Sequence, residues 1–134
     1  MIVLFLAYAV ALVALSGLKS GGFFLPEILA LEALLGGDKW MHFILASPLS
    51  LLAALASEAV AKVSYALRIV AVMLVLVPGL LADELHQQFF ASRHFDWLDS
   101  LWGCAGLTFG CLVYLLLHWL RNYRLPEKAG HQLR

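Results

Sequence analysis

The sequence predicts an all-α integral membrane protein, a bundle of about four transmembrane helices with a short interfacial or re-entrant helix between the first two. Composition predicts the class: 63% of the 134 residues are hydrophobic and 13% are charged, against about a quarter charged in a soluble domain. Spacing predicts the number, because the apolar runs are divided by short polar turns and a run of roughly 20 residues crosses a bilayer. The formal net charge is zero, so there is no basic surface to suit nucleic acid. The chain, 1–134, reads as one transmembrane domain.

The first span is the apolar run from Met1 to Leu18, closed by Lys19. A signal peptide carries its positive charge ahead of a shorter apolar region, so a retained helix is expected. From Phe23 to Leu35, Pro26 suits a helix start, Glu27 suits the positive end of the helix dipole, and Gly36 and Gly37 suit its end. About 13 residues rise only roughly 20 Å, too little to span. The second span runs from Asp38 to about Ala56, with Asp38 placed to cap its first turn and His42 on the same face. Lys39 and Trp40 suit the membrane interface. Pro48 removes a backbone bond and crowds the carbonyl of Ile44, which predicts a kink.

The third apolar run, Ile69 to Ala82, is short. Its rise of about 21 Å falls below a hydrocarbon core of roughly 30 Å. Either Arg68 reaches out to the headgroups or Asp83 and Glu84 lie below the interface. Pro78 and Gly79 predict a bend there. The fourth span runs from about Leu98 to Leu120, with Asp96 ahead of it as a cap. Gly103, Gly106 and Gly110 form a stripe that admits another backbone, and a second copy is a candidate partner through Gly106 and Gly110. Cys104 and Cys111, roughly 10 Å apart along one helix, are too distant for a disulfide and read as buried small apolar groups. The segment 121–134 reads as a solvated basic tail able to touch anionic lipid.

Four spans place both termini on one side. Lys62, Arg68, Arg121, Arg124, Lys128 and Arg134 fall on that side, and Lys19, Lys39 and Arg93 on the other. The positive-inside rule then predicts cytoplasmic termini. It also brings the start of span two, the end of span three and the start of span four to one outer leaflet.

Those ends carry the chemistry. The stretch DELHQQFFASRHFDWLD, residues 83–99, holds four carboxylates, one arginine, two histidines and two glutamines between apolar runs. Ionisable groups beside membrane spans are costly to desolvate unless paired, so their concentration marks a candidate site. Glu84 and Asp99 are the candidate acid and base. Lys39, His42, Gln87 and Arg93 are the candidate ligand holders, with Arg93 able to fork onto a phosphate or carboxylate. Asp38, Asp83 and Asp96 support them. Asp38 and Asp96 read first as helix caps, and His86 and His94 as solvated loop residues. Among His42, His86 and His94 no zinc spacing stands out, so no metal and no other cofactor is expected. The turn between Glu84 and Asp99 predicts one charge-linked unit with Arg93 between the two carboxylates.

These residues resemble the VanZ-like family of small membrane proteins. Asp38, Lys39 and His42, then Glu84, Gln87 and Arg93, then Asp99 and Gly106 stand in the order of that family's motifs, over a core of 38–110. Gly103 departs from it, where the family pattern has an asparagine four residues after the Asp. The resemblance implies a multi-pass protein of the bacterial cytoplasmic membrane, linked to resistance to teicoplanin-type glycopeptides. Three functions follow as expectations: an envelope protein that binds or modifies a lipid-linked cell-wall precursor or the glycopeptide, a non-catalytic assembly partner, or a small proton-linked transporter. A nucleophilic enzyme is not indicated, because both cysteines lie in apolar surroundings that disfavour the thiolate.

Overall fold

The computed structural model describes residues 1–90 and 96–123. Five helices make up the described chain: α1 Ile2–Ser20, α2 Leu25–Leu34, α3 Asp38–Val60, α4 Tyr65–Gln87 and α5 Trp97–Tyr123. α1, α3, α4 and α5 are long and apolar enough to cross a membrane. The chain is a multi-pass membrane protein. α2 has 10 residues, a rise of about 15 Å, and does not span.

α3 is the centre, since every other helix packs on it. Its closest partner is α5, and sequence explains why. α5 buries Gly103, Gly106, Leu107, Gly110, Cys111 and Tyr114 along one face. A Cβ on Gly106 would meet the Phe43 carbonyl, and one on Gly110 would meet the Ser47 carbonyl and the Ser50 hydroxyl. The backbones therefore touch only because no side chain stands between them. That approach is made within the chain, so α3 already covers the glycine face offered above to a second copy. Gly103 faces Leu80 of α4 instead, so an asparagine here would have to displace that leucine.

Pro48 leaves α3 short of a donor, and hydroxyls gather around it. Ser47 Oγ donates to the Phe43 carbonyl at 2.7 Å, Ser50 Oγ to the Ser47 carbonyl at 3.1 Å, and Tyr8 Oη of α1 to the Leu45 carbonyl at 3.0 Å. The last of these ties α1 to α3 three residues before Pro48. Between α2 and α3 the chain reverses at Gly36 and Gly37, with φ of 96° and 103°. Gly37 N–H donates to the Glu32 carbonyl at 2.8 Å and Gly36 N–H to that of Ala33 at 3.2 Å, a Schellman closure that points α3 back into the bundle.

Two spans differ from expectation. α4 is not short: it begins at Tyr65, capped by Ser64 Oγ, and runs through Asp83 and Glu84 to Gln87. Its 23 residues rise roughly 35 Å. Polar residues that end an apolar run need not end a helix when neighbouring helices satisfy them. Arg68 accordingly turns inward, donating to Tyr114 Oη at 3.2 Å and lying 4.0 Å from Glu58 Oε1. Arg121 closes on the same Glu58 at 3.4 Å. α3 likewise continues past Ala56 to Val60.

Candidate functional site

At the opposite end of the bundle from Glu58, five segments contribute side chains to one network. Lys19, closing α1, binds Glu32 Oε2 of α2 at 2.8 Å and Asp38 Oδ1 of α3 at 3.0 Å. One turn along α3, His42 Nε2 lies 3.7 Å from Asp38 Oδ1 and 3.6 Å from Glu84 Oε1 of α4. Gln87 Nε2 donates to Asp83 Oδ2 at 3.1 Å and to Glu84 Oε1 at 3.4 Å. Ser16 Oγ of α1 lies 2.8 Å from Asp83 Oδ1. On the other flank Lys39 Nζ reaches Asp96 Oδ2 at 3.0 Å and Asp99 Oδ1 at 3.4 Å, and carboxylate oxygens of Asp38 and Asp99 lie within 4.8 Å of each other.

Burial separates the members. Glu84, Gln87 and Asp99 are 1%, 2% and 6% exposed, so their polar atoms rely on partners within the protein, and losing a partner there is expensive. Lys39 and Asp96 are about two-fifths exposed, and their pair contributes little by itself. Asp96 has a second task. Its Oδ1 accepts from Leu98 N–H at 2.8 Å, capping α5 as expected. That N–H, with Lys39 beside it, holds the Asp96 carboxyl below the usual carboxylate range.

Asp38 differs from expectation. It is the first residue of α3, and no side chain caps that helix; its carboxylate turns to Lys19 and Asp99, because cations and acids from three helices converge there. Glu84 contacts His42 and Gln87, and Asp99 contacts Lys39 and Asp38. Arg93 and His94 lie outside the described residues, and with them the proposed Arg93 unit. His86 is exposed and edges onto Phe90, with ring centroids 5.1 Å apart. It sits in the last turn of α4 rather than in a loop.

Lys19, Glu32 and Ser16 were not legible as site residues. Lys19 had one signal, being the cation that closes the first span on the side where the acids gather. Glu32 and Ser16 had none, since their partners are 13 and 67 residues away.

The network forms the polar end of a cavity of about 360 Å³. Leu12, Val13, Leu45, Leu49, Val75 and Leu76 line its apolar length, and Ser16, Lys19, His42, Asp83, Glu84 and Gln87 line the end. α1 and α4 both pack on α3 but scarcely on each other, and the cavity lies between the three of them.

Fold and site together define a multi-pass helical membrane protein with a partly buried carboxylate–histidine cluster at the head of an apolar groove. Compared with protein-family models, curated proteins and solved structures, the chain matches none.

Proposed function

We propose that this chain is an envelope protein of the bacterial cytoplasmic membrane that holds a lipid-linked ligand, with its tail in the α1–α4 groove and its polar end at the cluster. The carrying observation is the lining of the cavity: apolar for most of its length and polar at one end. Ligand pockets span roughly 300–1,000 Å³, and about 360 Å³ takes a segment of one lipid chain. A water-soluble solute has no use for such a lining, whereas an amphiphile gains about 0.8 kcal/mol for each CH₂ it buries.

The VanZ-like motif order supports a contribution to teicoplanin-type resistance, through a ligand in the outer leaflet. Orientation follows from charge: with Lys62, Arg68, Arg121 and the 121–134 tail inside, both termini are cytoplasmic and the cluster faces out. Glu84, His42 and Gln87, which line the groove, would then meet the ligand's polar end, with Asp99 and Lys39 in the same network.

Growth inhibition by a teicoplanin-type glycopeptide tests this in a sensitive bacterium with and without the protein. A raised inhibitory concentration that is lost in Glu84→Gln is expected. An unchanged response, with a substrate-dependent current or uptake instead, would overturn it in favour of transport.

A further inference from the structure

We infer that the cluster is a binding site for one divalent transition-metal cation, held by Asp38, His42 and Asp99 with Glu84 beside them. Asp38, His42 and Asp99 each offer one ligand atom, and the three atoms lie within 4.8 Å of one another. Ligands about 2.1 Å from a first-row ion are themselves roughly 3 to 4 Å apart, so small side-chain adjustments close the shell. A fourth ligand stands beside them, with Glu84 Oε1 3.6 Å from His42 Nε2. His42 separates this cluster from an ordinary patch of acids, because an imidazole at the centre supplies a nitrogen ligand.

Charge balance points the same way. Six carboxylates (Glu32, Asp38, Asp83, Glu84, Asp96, Asp99) join the network, against the two described lysines. Arg93 is the one further fixed cation between Glu84 and Asp96 in the sequence, and counting it still leaves the acids in excess. Carboxylates that share a partly dry site repel unless a cation or a shared proton stands between them. Lys19 holds Asp38 Oδ1 and Lys39 holds Asp99 Oδ1, so each carboxylate keeps a second oxygen to offer an ion. Access exists too, since His42 and Glu84 both line the groove.

Imidazole with carboxylates favours Zn²⁺ over Mg²⁺ or Ca²⁺, which prefer oxygen alone, and Mn²⁺ can occupy the same donors as a spectroscopic probe. The ion site stands without the function proposed above. Its use rests on that function: a bound cation would turn an acidic pocket into one that accepts the phosphate of a lipid-linked ligand.

The test uses the full chain in detergent, stripped with a chelator and titrated with Zn²⁺ or Mn²⁺ alone. One ion per chain is expected. Asp99→Asn and His42→Gln should weaken binding by more than the roughly 10- to 100-fold that losing an orienting partner produces, while Asp96→Asn, outside the ligand set, stays within that range. Pulsed magnetic resonance of bound Mn²⁺ should show coupling to an imidazole nitrogen, which needs only the unaltered chain and so decides the matter if a variant fails to fold. Absence of stoichiometric binding, a Mn²⁺ signal without nitrogen coupling, or an equal loss in Asp96→Asn would each overturn the site. Glycopeptide response is read separately: metal binding without resistance defeats only the function, and resistance without metal binding defeats only this site.

Discussion

At the scale of single residues, Asp96 shows how one carboxylate joins local structure to the site. It caps α5 through Leu98 N–H and meets Lys39 of α3. Because folding lowers its proton affinity, its contribution to stability is fully present above the unfolded pKa of about 3.9 and is lost as pH falls through the lower folded value. Asp96→Asn keeps an oxygen for the cap and removes the charge. Thermal melts in detergent should show a lower midpoint for the variant near neutral pH and a shallower loss on acidification below about pH 4; parallel curves would show that the charge is idle. The resemblance and the membrane context singled out Glu84, Gln87 and Asp99, which are the buried members of the cluster. Asp38 was harder to read, because a carboxylate at a helix start has a local partner in every sequence, and only the fold brings Lys19 and Asp99 to it.

At the scale of helices, apolar length made the four spans legible while their ends were not. Hydropathy counts Arg68, Asp83 and Glu84 as boundaries, yet α4 continues through them because Tyr114, Ser16 and His42 meet them from other helices. The pairing of α3 with α5 was half legible. Gly106 and Gly110 announced a close approach, and the partner was a matter of tertiary packing. Gly110→Ala places a methyl group against the Ser47 carbonyl and Ser50, and it should destabilise the bundle by about 1–3 kcal/mol as overpacking. Gly17→Ala in α1 meets nothing within 4 Å and should stabilise by about 0.5–1 kcal/mol through helix propensity. Unfolding of both in mixed micelles checks the sign of each. Equal effects would mean that the glycine face does not set the α3–α5 distance.

At the scale of the whole molecule, the two ends of the bundle are chemically distinct. One holds Glu58 between Arg68 and Arg121 over the buried Tyr114; the other holds an excess of acids at the mouth of an apolar groove. That polarity was legible from the alternation of spans, whereas the groove was not, because it depends on α1 and α4 both choosing α3 over each other. In a variant lacking Cys104 and Cys111, an impermeant thiol reagent added outside cells should label Ser92→Cys and spare Lys128→Cys; labelling of Lys128→Cys alone would reverse the orientation. The proposed function requires that the groove itself holds a lipid tail. Its most direct measurement is mass spectrometry of lipid retained by the purified protein, comparing the unaltered chain with Leu12→Trp, which fills the groove from α1 and leaves the polar cluster intact. A defined lipid species held near one per chain, and lost in Leu12→Trp, is predicted; the same lipid content in both would contradict it.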